Sequence, residues 1–309
     1  MTPPVRLGLI GAGRWGRVYL HSMASRANVN TMADHAGVHL AAVASAKAET
    51  AALLPPACVL YDDWRRMLAH PGLDGIVIAT PPHTHVPMAL AVVAQGLAAL
   101  VEKPLCLDPH EARRLRDQAG RLGAVVAVDH IHLFAPAFQR LKQLLPRIGP
   151  IRSVEGRAGN HGPYRRDASV LWDWGPHDVA MAVDLLGSPP DRVTARLMDQ
   201  RPEADGIGQN VALDLRFGTV RADFVIGTLM DKTRRFQVVG DNGVLVYDDL
   251  VTTKLTLDGK GVDIDPAKPL DCVIDDFVRR IRARDRDLAP LELAVTVTDI
   301  LSACAAQLG

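Results

Sequence analysis

A short apolar run, Val5-Arg6-Leu7-Gly8-Leu9-Ile10, delivers the chain into Gly11-Ala12-Gly13-Arg14-Trp15-Gly16, and the residues that follow, Trp15 to Arg26, read as a helix. The glycine spacing acquires a meaning in this strand–turn–helix setting. Gly11 permits a tight turn, Gly13 lets a pyrophosphate approach the backbone, and Gly16 lets helix and strand pack closely. The helix N-terminus then offers amide donors and the positive end of its dipole to phosphates. The pattern predicts a dinucleotide site lined by Gly11, Gly13, Arg14, Trp15 and Gly16. A glycine-rich turn without a ligand, or an adenosine site of the methyltransferase type, would show the same spacing.

Beyond that turn, short β-branched runs alternate with helical patterns. Strands are predicted at residues 39–44, 58–60, 75–79, 98–101 and 125–128, and helices at 64–70, 86–94 and 109–122. Gly75-Ile76-Val77-Ile78-Ala79 is apolar at consecutive positions, as a parallel strand buried on both faces should be. Strict β-α alternation implies an α/β fold with an N-terminal Rossmann doubly wound parallel sheet. From Asp129 the pattern changes to helices at 137–145 and 176–186 among strands at 151–158, 193–198, 211–217 and 219–226. Phe217-Gly218-Thr219 and Gly240-Asp241-Asn242-Gly243 read as hairpin turns between antiparallel neighbours. A last amphipathic stretch covers 292–308. The expectation is a dinucleotide-binding domain over 1–128 and a C-terminal α+β domain over 129–309, built on a largely antiparallel open sheet.

Composition narrows the partner. The 309 residues balance 35 Lys and Arg against 35 Asp and Glu, so no bulk field draws the molecule to nucleic acid or an anionic membrane. A small molecule is the expected ligand. The stretch from Val86 to Val101 is interrupted by Pro87, Gln95 and Gly96, and no apolar segment precedes Arg6, so neither a membrane span nor a signal peptide is expected. Cys58, Cys106, Cys272 and Cys304 form no C-x-x-C pair and no zinc-ligand spacing, which fits core thiols in a reducing, cytoplasmic compartment and no bound metal. After the second strand the chain reads Val43-Ala44-Ser45-Ala46-Lys47, with no carboxylate to bind the ribose hydroxyls of NAD or repel a 2′-phosphate. Ser45 and Lys47 are therefore candidate cofactor donors, and NADP is favoured slightly over NAD, although Lys47 would equally suit a solvated helix.

Two further segments, Ala79-Thr80-Pro81-Pro82-His83-Thr84-His85 and Glu102-Lys103-Pro104, closely resemble the glucose-fructose oxidoreductase/inositol dehydrogenase (Gfo/Idh/MocA) family, and the resemblance extends over nearly the whole chain. It implies an NAD(P)-dependent oxidoreductase acting on CH–OH groups. It further implies that Thr80, Pro81 and His85 line the cofactor site and that Glu102 and Lys103 belong to the reaction centre. Independently of the resemblance, Lys103 follows an apolar strand, so its ammonium should emerge at the carboxyl edge of the sheet, where a cation can polarise a carbonyl or stabilise an alkoxide.

Trp172-Asp173-Trp174-Gly175-Pro176-His177-Asp178 resembles the family's D-x-G-x-H segment, with Asp173 and His177 at the motif positions. The acid that many members carry three residues after the histidine is replaced by Ala180. That departure, with the surrounding wording, resembles the branch acting on nucleotide-linked sugars. If Pro176 opens the helix, His177 lies in its first turn, where the dipole favours a neutral ring able to accept a proton and Asp173 would orient it. His130, Asn160, Tyr164, Arg165 and Trp174 are candidate substrate contacts. A buried core histidine, a solvated basic turn and simple packing are the competing readings for them.

The combined expectation is hydride transfer between a nicotinamide and a polyhydroxylated small molecule held between two domains, in a homo-oligomer, dimer or tetramer, that uses one face of the open sheet. Lys103 and His177 are alternative formal bases. A cofactor-binding regulator without turnover, and a reductase of imines or enones, remain the rival functions.

Overall fold

The computed structural model describes residues 3–27, 37–164 and 169–308. The first half alternates as the sequence demands: β1 (Val5–Ile10), α1 (Arg14–Ala27), β2 (Val38–Ala44), β3 (Val59–Tyr61), α2 (Trp64–Met67), β4 (Gly75–Ile78), α3 (Pro82–Ala94), β5 (Ala98–Glu102), α4 (Pro109–Leu122) and β6 (Val126–Asp129). The strands form one parallel sheet in the order β3-β2-β1-β4-β5-β6. This is the doubly wound order, with helices covering apolar faces. Leu7, Leu9, Ile76, Val77, Ala99 and Val101 are almost wholly buried, which explains their consecutive apolar runs. Local chemistry sets the helix ends. Asp108 accepts from the His110 amide at 2.8 Å ahead of Pro109, and Gly123 closes α4 with a left-handed φ of 58°.

The second half contains α5 (Pro136–Ile148), β7 (Ile151–His161), α6 (Val170–Leu186), β8 (Arg192–Glu203), β9 (Gly206–Phe217), β10 (Val220–Gly227), β11 (Leu229–Gly240), β12 (Gly243–Asp248), β13 (Leu255–Leu257), β14 (Lys260–Gly261), α7 (Pro269–Ala283) and α8 (Ala289–Leu308). Eight strands pair in the order β14-β13-β12-β11-β7-β10-β9-β8, and β7–β10 is the one parallel pairing among them. Both expected hairpins are present: Phe217 pairs with Val220, and Gly240 with Gly243. Val211, Leu213, Leu215, Phe224, Phe236 and Val238 alternate with exposed or half-buried neighbours, so one sheet face is apolar. Helices α5 and α6 pack against the sheet.

Several boundaries differ from expectation. The helix bearing His177 begins at Val170, so Pro176 lies inside it rather than opening it. A proline at N1 and one in the second turn look alike in sequence, and here Ser169 supplies the start, its carbonyl accepting from the Asp173 amide at 3.0 Å. Helix α3 starts at Pro82, four residues early, and α7 was not anticipated. The chain divides into two compact units, Met1–Asp129 with Leu270–Val295, and His130–Pro269 with Thr296–Gly309. The sequence reading put all of 129–309 in one domain. Arg26 of α1, however, pairs with Asp275 and Asp271 of α7, and Leu291, Ala294 and Val295 of α8 join the core of the first unit. Among the described residues one helix, α8, is long and apolar enough to cross a membrane. Its Leu291, Val297, Leu301 and Cys304 are buried in protein, which accounts for the apolarity.

Candidate active site

A parallel sheet collects the carboxyl ends of its strands on one edge. Here that edge gathers the turn after β1, the Ser45 turn after β2, Thr80 after β4, Lys103 after β5 and Asp129 at the end of β6. The Gly11 amide donates to Ala44 O at 2.9 Å, which pins the turn. Gly11 has φ 94°, and a Cβ there would lie 2.5 Å from Ala79 O. A Cβ at Gly16 would collide with the Gly11 carbonyl, whereas one at Gly13 would meet no protein atom within 4 Å. Gly11 and Gly16 are thus required by the fold, while Gly13 faces open space at the N-terminus of α1. A cleft of about 300 Å³ opens there, lined by Gly11, Gly13, Ser45, Lys47 and Thr80 and also by Asp62 and Trp64. A bare backbone turn, a helix N-terminus and an open cleft with Lys47 on its wall fit the phosphates of a dinucleotide.

Asp62 and Trp64 escaped the sequence reading because they flank the outer strand β3, whose position beside β2 is a matter of sheet order. The Ser45 hydroxyl accepts from the Lys47 amide at 3.2 Å and contacts Thr50 Oγ1 at 2.9 Å, so part of its capacity serves the turn. Arg14 and Trp15, at the start of α1, and Pro81, at the start of α3, adjoin the cleft in sequence but do not line it. His85 departs from expectation. Its ring is buried, with Nδ1 2.9 Å from Pro104 O and Nε2 2.7 Å from Thr80 O. Burial lowers its pKa against the pull of these carbonyls, and a neutral ring donates to only one of them. His85 therefore braces the Thr80 and Lys103 segments against each other rather than meeting a ligand.

Lys103 follows β5, and its amide donates to Glu102 Oε2 at 3.1 Å. Glu102 is 6% exposed, and Asp129, its register partner on β6, is 1% exposed. Burial and the neighbouring Asp129 push the Glu102 carboxyl well above its ordinary range, while the Lys103 charge pulls it down. Burial likewise pushes Asp129 up to about 6, against the Tyr19 hydroxyl and Lys103. Glu102 is thus a buried acid at the lysine, not a surface contact of the cofactor cleft.

In the second unit His177 is 7% exposed and stands eight residues into α6, too far from the helix start for the dipole argument to apply. Asp173, one turn earlier on the same face, is in the first turn. The ring of His132 meets that of His177 edge to face, with centroids 4.8 Å apart, and His132 Nδ1 lies 3.3 Å from the Tyr247 hydroxyl. His132 is thus a neighbour of His177; the candidate His130 is 2% exposed at the end of β6. Trp174 lies under the Arg234 guanidinium at 4.6 Å. Asp178 is fully buried and pushed up to about 6 by burial, with Arg234 pulling the other way. Asn160 Oδ1, Asp178 Oδ2 and Arg234 Nη1 are buried without a hydrogen-bond partner among the described residues. Tyr164 packs on Gly206 and Gly208 of β9. Arg165 lies outside the described residues. Sequence reasoning missed Arg234, which only the pairing of β11 with β7 brings to α6.

Among the described residues no group of three His, Cys, Asp or Glu is placed to hold a metal, and no disulfide links the four cysteines.

The chain as a whole is similar to several known proteins. An inositol 2-dehydrogenase of Saccharopolyspora erythraea is 30% identical over 222 residues, 69% of this chain but only 62% of that protein, so the matched part spans less than two thirds of the relative. The UDP-N-acetylglucosamine 3-dehydrogenase of Acidithiobacillus ferrooxidans is 28% identical over 306 residues, 98% of this chain and 90% of its own, and its structure matches with a TM-score of 0.83. A candidate oxidoreductase of known structure from Magnetospirillum magnetotacticum is 40% identical with a TM-score of 0.90, covering 98% of this chain and 100% of its own. Residues 5–130 match the Gfo/Idh/MocA model described as an oxidoreductase family with an NAD-binding Rossmann fold, and residues 138–246 match the Gfo/Idh/MocA C-terminal domain. With both halves matched in order, the chain belongs to the Gfo/Idh/MocA family of oxidoreductases.

Proposed function

We propose that this protein is an NAD(P)-dependent dehydrogenase or reductase of a hydroxyl-bearing carbon in a sugar, nucleotide sugar or cyclitol. The observation that carries this reading is the strand-end edge of the first unit, where the phosphate cradle and the Lys103–Glu102–Asp129 group are presented together. Gly11 and Gly13, with the first amides of α1, would hold the pyrophosphate, and Ser45 and Lys47 the adenosine ribose. With no carboxylate ending β2, and Asp62 ion-paired to Arg66 at 3.4 Å, NADP is the favoured form. The nicotinamide, when bound, supplies two-electron redox chemistry.

The chain supplies the rest. Lys103 offers a cation that stabilises charge on the oxygen of the reacting carbon. His177 exchanges the hydroxyl proton, with Asp173 orienting it from one turn away. Buried polar atoms normally find partners, and the orphaned atoms of Asn160, Asp178 and Arg234 suit a ligand rich in hydroxyls. The relatives that act on UDP-N-acetylglucosamine and inositol point to the same substrate class. The open sheet face, where Glu155, Arg157, Asp223 and Arg235 line a shallow depression, is the proposed contact with a second copy. Light scattering on the purified chain reads that out.

The activity test incubates the protein with NADP or NAD and a panel of UDP-sugars, aldoses and inositols, following absorbance of the reduced cofactor. Turnover of at least one compound, abolished in Lys103→Ala, is expected. Cofactor binding with no reduction across the panel would favour a non-catalytic regulator.

A further inference from the structure

The carboxyl edge of the first unit holds a buried group of acids that the phosphate cradle does not use. Tyr19, Glu102 and Asp129 come from α1, β5 and β6 and are 0%, 6% and 1% exposed. Register sets Glu102 opposite Asp129, and paired residues on neighbouring strands point to the same face of a sheet. The Tyr19 hydroxyl donates to Asp129 Oδ2 and is also within hydrogen-bonding reach of Glu102. Glu102 in turn is tied to the Lys103 amide. The charged and titratable groups facing one another from the packed elements are thus Tyr19, Glu102, Lys103 and Asp129.

Two carboxylates in apolar surroundings do not both ionise without a large penalty, so the pair tends to hold one proton between them. Burial keeps both acids above their ordinary range, and the Lys103 ammonium opposes this at each. The tyrosine stays protonated, since burial and the two acids push its hydroxyl well above 10. A fully apolar filling of this space would be easier to fold, because buried charges are weak contributors to stability. An arrangement that combines two acids, one hydroxyl and one ammonium instead fixes where the ammonium sits.

We propose that Tyr19 and Asp129 are positioning residues for Lys103: Tyr19 fastens Asp129, Asp129 and Glu102 set the place of the lysine, and the network ties that setting to α1, the helix that carries the phosphate-binding turn. The inference rests on the role assigned to Lys103 above.

The test is pH-difference infrared spectroscopy of the purified protein, read at the carbonyl stretch of protonated carboxyls, for wild type, Tyr19→Phe, Asp129→Asn and Lys103→Met. In wild type a carboxyl is expected to titrate near 6. Asp129→Asn keeps an oxygen acceptor for Tyr19 and loses that band. Tyr19→Phe removes the donor that favours the ionised acid, and Lys103→Met removes the cation, so each moves the midpoint upward. Turnover of Tyr19→Phe falls about tenfold with KM little changed, the loss expected for one hydrogen bond to a charged group. NADPH fluorescence titration gives a Kd within about threefold of wild type, because the cradle is intact.

A midpoint that stays in place in Tyr19→Phe or in Lys103→Met overturns the proposal. Should Tyr19→Phe fail to fold, the Asp129→Asn and Lys103→Met spectra still decide it. The infrared measurement needs no turnover, so its failure is separate from a failure of the assigned reaction. That second failure would appear as full turnover in Lys103→Met with the carboxyl coupling intact.

Discussion

The two units present functional groups in opposite ways. In the first, the groups hang from the ends of parallel strands, and their order along the sheet edge follows from the β-α rhythm. In the second, His177 and Trp174 stand on a helix, His132 on the turn after β6, Arg234 on β11 and Tyr247 on β12. Backbone dominates one region and side-chain packing the other. Phosphates can be held by bare amides at a turn, where a missing Cβ is the recognition element. A proton acceptor needs a ring of fixed orientation, which neighbouring rings and hydroxyls must provide.

That contrast can be broken most severely at His177. His177→Ala is expected to lower kcat by about 10²–10⁴, the usual worth of general acid–base catalysis, while the dinucleotide Kd from NADPH fluorescence stays unchanged. An unchanged kcat would remove the second unit from the chemistry.

The glycine turn sharpens the other side. Gly13→Ala places its methyl group in open space, so the melting temperature should hold while dinucleotide affinity falls about tenfold or more. Gly11→Ala has no such freedom, given its φ of 94° and the contact with Ala79 O, and should lower stability by about 1–3 kcal/mol in a denaturant titration. Equal effects of the two substitutions would show that the turn is not split between fold and ligand.

A smaller effect is expected behind the histidine. Tyr247→Phe removes the 3.3 Å contact to His132 and should lower kcat about fivefold with KM nearly constant, the value of one neutral hydrogen bond.

The smallest effect is a pH dependence of stability. Asp178 has its folded-state pKa raised from 3.8 to about 6, so the folded protein holds this proton more tightly than the unfolded chain. The contribution is fully present below about pH 4, declines as pH rises toward 6 and is flat above. The melting temperature of Asp178→Asn minus that of wild type should therefore rise between pH 4 and 6, and a difference that does not vary with pH would place the carboxylate in water.

Much of the first unit could be read from the chain in advance. Its strands and parallel order follow from apolar runs, the lining by Gly11 and Gly13 from glycine spacing, and that by Ser45 and Lys47 from the carboxylate-free turn after the second strand, whereas Thr80 was implied by the family resemblance. His85 misled because a histidine in a motif segment looks the same whether its ring meets a ligand or two carbonyls of its own chain. The start of α6 was misread because Pro176 sits comfortably at N1 in isolation, and only the packing of Gly175 beneath Leu301 shows the helix passing through it.

By itself the sequence determined the dinucleotide turn, the doubly wound sheet and the placement of Lys103 at a strand end, because each depends on backbone preferences acting over a few neighbouring residues. Tertiary structure alone decided that His132 abuts His177, that Arg234 comes within electrostatic reach of Asp178, and that Tyr19 fastens Asp129 across 110 positions of chain. Those contacts are set by strand register and by which helix face turns inward, and neither leaves a local mark on residues so far apart.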